Sequence, residues 1–193
     1  MNLEMNKVVP VEFKEKNPIS KKLWPLTLLL GVLALDVLTK CLIVHFIPQN
    51  TVGFNVIGDF FRIIHVRNPG IAFSIGYSLS DTLRSILFAV VPFLVIILVM
   101  VVYFRNNDFT QLQRWAICGI VGGGLGNLID RFFRPDGVVD FLDFKFYGLF
   151  GFERWPTFNV ADSAVLICAG ILMVSFVLEI IKENTTPISF ETW

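Results

Sequence analysis

The stretch from Ile86 to Phe104 contains no charged side chain. A helix needs about 20 apolar residues to cross a hydrocarbon layer about 30 Å thick, so this run restricts the chain to folds built in a bilayer. Three further segments have a comparable length. One covers about 23–47 and is interrupted only by Asp36 and Lys40; one, short and rich in glycine, covers about 114–131; the last, about 160–181, carries Asp162 and Glu179 near its two ends. The charge-free run belongs to a span of about 84–104 with Pro92 near its middle. Membrane helices tolerate such a proline because neighbours re-satisfy the freed carbonyl. The sequence therefore predicts an all-α membrane protein, a bundle of four transmembrane helices.

The connecting segments are uneven. Residues 1–22 form a polar tail, residues 104–114 a short loop and residues 184–193 a second tail, leaving 23–183 as a single membrane domain. Residues 48–82 and 132–159 are longer. The run Phe60-Phe61-Arg62-Ile63-Ile64-His65-Val66 reads as a strand, and Asn68-Pro69-Gly70 and Pro135-Asp136-Gly137 read as turns. Four spans place both tails and the short loop on one side and both long loops on the other. Lys7, Lys14, Lys16, Lys21 and Lys22 precede the first span. Basic residues beside the first helix favour the cytoplasm, so both tails are expected there. The first span is longer than the apolar core of a cleaved signal peptide and holds charges within it, so it is expected to remain in the protein.

Composition closes several routes. Lys plus Arg number 16 and Asp plus Glu number 16, which leaves no basic excess for nucleic acid. Cys41, Cys118 and Cys168 lie in apolar stretches at spacings that suit neither a disulfide framework nor a zinc site. His45 and His65 are far apart and no HExxH occurs, so no metal is expected. No serine sits in a nucleophile motif that would work with Lys40. No cofactor is expected.

Ionisable groups at membrane depth are costly and normally pair or line a polar cavity. Asp36 and Lys40 are four residues apart, on one helix face, where they can pair. In the third span the Gly119/Gly123 and Gly122/Gly126 spacings leave a smooth surface for close helix packing. Asn127, Asp130 and Arg131 follow near the end of that span, where Asp130 and Arg131 read as an interfacial charge pair. Beyond it, alternating apolar residues in Gly137–Phe144 suggest a short extended segment at the membrane surface. The fourth span opens with Asn159 as a helix N-cap and Asp162 at the third helical position, where a carboxylate favours the helix dipole. Asp140 and Asp162 thus fall on one membrane face. Two carboxylates that share a proton can activate water and protonate the amine it expels. Spacing alone leaves Asp140, Asp143, Asp130 and Asp36 all open as the partner of Asp162.

Five motifs in order then resemble the lipoprotein signal peptidase (signal peptidase II) family. They are Asp36-Val37-Leu38-Thr39-Lys40, Asn68-Pro69-Gly70-Ile71-Ala72-Phe73, Gly126-Asn127-Leu128-Ile129-Asp130-Arg131, Val138-Val139-Asp140-Phe141 and Phe158-Asn159-Val160-Ala161-Asp162-Ser163. The resemblance covers roughly residues 24–180. It implies a small β-structured cradle on the extracytoplasmic face, within 48–82. It implies an aspartic endopeptidase of the bacterial cytoplasmic (inner) membrane, acting on a prolipoprotein whose lipobox cysteine carries diacylglycerol and cutting just before that cysteine. By motif match, Asp140 and Asp162 are the catalytic pair. Asn68, Gly70, Ala72, Asn127, Arg131 and Asn159 bind substrate or order the site, and Asp36, Lys40 and Asp130 support it. The implied partners are the prolipoprotein and membrane lipids, with the protein working as a monomer.

Two other classes compete. A small transporter or channel subunit would use the intramembrane Asp, Lys and Arg as a polar path, and inverted repeats would mark it; the two halves show no such similarity. A pure assembly scaffold would use the glycine face, and would not need two aspartates at one surface.

Overall fold

The computed structural model describes residues 19–69, 80, 83, 86–134 and 136–185. Most of the expected tail 1–22, the end of the C-terminal tail, Gly70, Ala72 and the expected start of the second span at Arg84 lie outside those residues. Lys21 and Lys22, assigned above to the polar tail, belong to a short helix, α1 (Ile19–Leu23). After Trp24 and Pro25 the chain continues as α2 (Leu26–Phe46). Strands β1 (Thr51–Ile57) and β2 (Phe61–Asn68) follow. A π-helical turn, Ile86–Val90, leads into α3 (Val91–Arg105). Then come α4 (Gln111–Phe133), β3 (Val138–Phe144), a short 3-10 turn at Leu149–Gly151, and α5 (Val160–Thr185).

Among the described residues four helical segments are long and apolar enough to cross a membrane: Ile19–Phe46, Ile86–Arg105, Gln111–Phe133 and Val160–Thr185. Their outward faces carry large apolar side chains, among them Leu30, Leu94, Leu98 and Leu166. So much contiguous apolar surface suits lipid and not water. Pro92 falls in the first turn of α3 and not in the middle of a regular helix. Because the π turn Ile86–Val90 runs directly into α3, its wider winding accommodates the ring and the missing N–H of Pro92.

The bundle is built around α4. In its apolar window 61% of residues are buried, against 17%, 11% and 11% in the other three. The two glycine rows explain how one helix contacts two others so closely. A Cβ on Gly122 would stand 2.7 Å from the Leu29 carbonyl of α2, and one on Gly126 would collide with the Asp36 carboxylate of the same helix. A Cβ on Gly119 would meet Cys168 Sγ, and one on Gly123 would meet the Ala161 carbonyl, both in α5. One row therefore seats α2 and the other seats α5. At the end of the bundle away from the sheet, a capping box joins Thr110 and Gln113 at the start of α4. There the Gln113 amide also donates to Glu179 of α5 at 2.8 Å.

The sheet is antiparallel in the order β1-β2-β3. Its third strand comes from Val138–Phe144, beyond the 48–82 segment in which the cradle was expected, so the cradle spans both long loops. Ile43 and Ile47 at the end of α2 pack with Ile63, Val139 and Phe141. That cluster fastens the sheet to the helix ends. Gly137 starts β3 with φ of +100°, and a Cβ there would strike the Asn68 carbonyl. A left-handed glycine is what lets the chain turn from α4 back onto β2.

Candidate active site

Three elements meet where β3 crosses the ends of α4 and α5. In β3 side chains alternate between faces, so Asp140 and Asp143 point opposite ways. Asp143 pairs directly with Arg62 in the strand register and is held by Arg62 and Arg154 at 2.7 and 2.8 Å. Asp140 turns instead toward the helix ends, with 2% of its surface exposed. Asn68 of β2 is its diagonal neighbour on the same face, and its Nδ2 donates to Asp140 Oδ2 at 3.0 Å.

The chain then returns to β3 before entering α5. A bridge between Leu142 and Phe158 sets the next residue, Asn159, beside Asp140. Asn159 Nδ2 donates to Asp140 Oδ1 at 2.7 Å and lies 3.1 Å from Asn127 Oδ1. The same residue caps α5. Its Oδ1 accepts from Asp162 N at 2.9 Å, while Asp162 Oδ2 accepts from Asn159 N at 3.2 Å. This reciprocal cap fixes one oxygen of Asp162, and the other accepts from Asn127 Nδ2 at 2.7 Å. Asp162 is thus a capping residue and also a carboxylate aimed at the site.

Asn127 bonds Asp162 directly and meets Asp140 through Asn159, and its own orientation is set from α2. Lys40 Nζ donates to Asn127 Oδ1 at 2.9 Å. It also reaches Asp36 at 2.8 Å and Asp130 at 3.2 Å. Three acceptors use the three N–H groups of a fully buried ammonium. Asp36 Oδ1 accepts from Ala161 N at 2.9 Å, which ties α2 to the first turn of α5. Asp130 Oδ2 accepts from Val139 N at 3.0 Å, which ties α4 to β3.

Asp130 does not pair with Arg131. Adjacent residues on a helix do not face each other, whereas residues four apart do, and Asp130 Oδ1 is bound by Arg134 Nε at 2.8 Å. Arg134 escaped the sequence reading although its spacing from Asp130 signals the pair. Arg131 donates to the Asn127 carbonyl at 3.2 Å. Asp36 and Asp130 share Lys40, Asp130 also pairs with Arg134, and Asp143 pairs with Arg62 and Arg154, whereas Asp140 is held by the amides of Asn68 and Asn159 and feels the charge of Asp162. Gly70 and Ala72 lie outside the described residues.

Burial pushes the Asp140 carboxyl up to about 7, and the negative charge of Asp162 adds to the effect; the amides of Asn68 and Asn159 oppose it. An apolar cavity of about 350 Å³ opens beside Asp162, lined by Trp155, Phe158, Ser163, Leu166 and Ile167. It shares Leu166 and Ile167 with a groove of about 820 Å³ that follows α5 as far as Lys182. A carboxyl that holds a proton near neutrality thus stands beside a second carboxylate at the head of an apolar groove, and such a group can serve in acid–base chemistry.

The chain matches the family model described as signal peptidase (SPase) II over residues 28–178. It is 47% identical over 175 residues to a protein of Treponema pallidum (strain Nichols) named lipoprotein signal peptidase, covering 90% of this chain and 94% of that one. A protein of Treponema denticola with the same name is 47% identical over 160 residues, covering 83% and 92%. A bacterial membrane enzyme solved in meso at 2.3 Å resolution has the same fold, with a TM-score of 0.73 and 25% identity, over 92% of this chain and all of that one. The motifs, the four-helix frame and these likenesses agree, and the chain belongs to the signal peptidase II family.

Proposed function

We propose that this chain is an aspartic endopeptidase that removes the signal peptide from diacylglyceryl-modified prolipoproteins, with Asp140 and Asp162 as the catalytic pair. One observation carries the assignment: the two carboxylates are joined through Asn127 and Asn159, while every other acidic candidate is neutralised by a cation.

In this mechanism Asp140 enters protonated and Asp162 ionised. A water between them gives a proton to Asp162 as its oxygen attacks the scissile carbonyl, and Asp140 donates to the oxygen on which charge develops. The tetrahedral species collapses when the amide nitrogen takes a proton from Asp162, the C–N bond breaks, and the hydroxyl formed from the carbonyl oxygen returns its proton to Asp140, which restores the resting pair. No covalent enzyme intermediate forms. Asn68, Asn127 and Asn159 keep both carboxylates in position, Arg131 stands ready for the substrate backbone, and Asp36, Lys40 and Asp130 hold Asn127 and β3. The acyl chains of the substrate lie in the groove along α5. Both termini face the cytoplasm and the sheet faces outward, in keeping with the lysines ahead of the first span. Both glycine rows are filled within one chain, which supports a working monomer. A transporter path would need charges exposed along a pore, whereas these are paired at one end.

The test is cleavage by purified protein of a prolipoprotein with and without diacylglycerol on its lipobox cysteine, read by mass spectrometry. A cut before the modified cysteine, and none in the unmodified substrate, is expected. Equal cutting of both would overturn the substrate assignment.

A further inference from the structure

The segment between β3 and α5 carries a feature that peptide hydrolysis does not use. Residues 145–154 form a short hairpin. Lys145 and Arg154 bridge across it, and Phe146 N and Gly148 N bond the Glu153 and Phe152 carbonyls at 2.9 and 3.0 Å. Its base is fastened to the sheet, because Arg154 binds Asp143 and Lys145 binds Asp59. Its tip is apolar and largely exposed among the described residues: Tyr147, over whose ring Lys145 Nζ sits at 5.2 Å, is 68% exposed, Leu149 57% and Phe150 77%.

The tip is also held in an unfavourable backbone. Tyr147, Gly148, Phe150 and Gly151 all have positive φ, at 52°, 81°, 55° and 80°. Two bulky aromatic residues in the left-handed region are uncommon and persist only where the surroundings impose them. A rigid base and a strained turn together present three large apolar side chains outward.

The position of the base bears on what those side chains meet. Trp155, which follows the hairpin and packs on Phe146 and Phe152, lines a cavity with Leu166 and Ile167 of α5. Leu166 and Ile167 are 75% and 62% exposed, on the outward face of a helix that crosses the membrane. The base of the hairpin therefore lies beside the outward face of α5, near its first turns. Aromatic side chains are enriched at that depth, where ring and headgroup region match.

We propose that the Tyr147–Phe150 tip inserts into the interfacial layer of the leaflet on the sheet side, a second membrane contact besides the four spans. It pins the mouth of the Asp162 cavity against lipid.

The experiment uses the full chain with Cys41→Ser, since Cys118 and Cys168 are buried. Phe150→Cys and, separately, Leu149→Cys are labelled with an environment-sensitive fluorophore and reconstituted into phosphatidylcholine vesicles. Lipids bearing a nitroxide near the headgroup and iodide on both sides of the membrane serve as quenchers. Retained peptidase activity shows that each variant is folded. Blue-shifted emission, strong quenching by the shallow nitroxide, and several-fold less iodide quenching than for the free fluorophore–thiol adduct are expected at both positions. Iodide quenching equal to that of the adduct would place the tip in water and overturn the proposal. Protection from both quenchers would overturn it too, because the tip would then be covered by protein, either another segment of the chain or a second copy.

Discussion

Asn159 combines three tasks in one residue: it caps α5, orients Asp162 through its own N–H, and donates to Asp140. The tasks separate by mutation. Asn159→Ser keeps a capping oxygen, so thermal unfolding in detergent should fall within about 0.5 kcal/mol of wild type. It loses the Nδ2 donor, so kcat should still drop at least about tenfold. Asn159→Ala loses the cap as well and should cost about 1 kcal/mol or more of stability. Because the Asn159 amide holds the Asp140 carboxyl down, its removal should move the alkaline limb of the residual activity upward.

In the proposed mechanism that limb reports Asp140 in wild type. Its carboxyl is lifted from 3.8 to about 7 by burial and by the charge of Asp162, so kcat/KM should fall as pH rises through about 7 and the proton leaves. The linkage to stability has the same sign. A carboxyl raised on folding binds more protons in the native state, so its contribution is complete below 3.8 and lost as pH rises through about 7. Asp140→Asn should therefore flatten the pH dependence of unfolding between those values. The sequence alone could place Asp140 and Asp162 on one face of the membrane, and the resemblance named them as a pair. Neither showed that Asp36, Asp130 and Asp143 pair with cations, because those contacts form only on folding.

Helix α4 shows which parts of element packing are readable. The four-residue glycine spacing announced close approach. It did not say that Gly122 and Gly126 serve α2 while Gly119 and Gly123 serve α5, since that depends on the rotation of α4 in the bundle. The difference is testable. Gly123→Ala would press on the Ala161 backbone and should destabilise by about 1–3 kcal/mol with no simple rescue. Gly119→Ala meets the Cys168 side chain, so Cys168→Ala in the same chain should restore most of the loss on thermal unfolding. Lys40 joins α2 to α4 by the same logic of burial. Lys40→Met leaves Asp36 buried without its cation and Asp130 with Arg134 alone, and should cost about 3–5 kcal/mol. Pro92 marks the limit of periodicity, because no pattern in the residues signals a π turn ahead of α3.

For the molecule as a whole, the four spans were legible because the bilayer demands long apolar runs. The cradle was legible only in part. Its first two strands are adjacent in sequence, but its third arrives from beyond two helices and carries Asp140 with it. Such pairing is written in no local pattern, and the same long-range closure brings the site together from α2, β2, α4, β3 and α5.

The most direct measurement compares wild type, Asp140→Asn and Asp162→Asn on a diacylglyceryl-modified prolipoprotein, with thermal unfolding as the check on folding. Asn preserves shape and removes the ionisable group, so both variants should unfold as cooperatively as wild type and cut at least about a thousandfold more slowly. A folded variant of either kind that cuts as fast as wild type would contradict the aspartate pair.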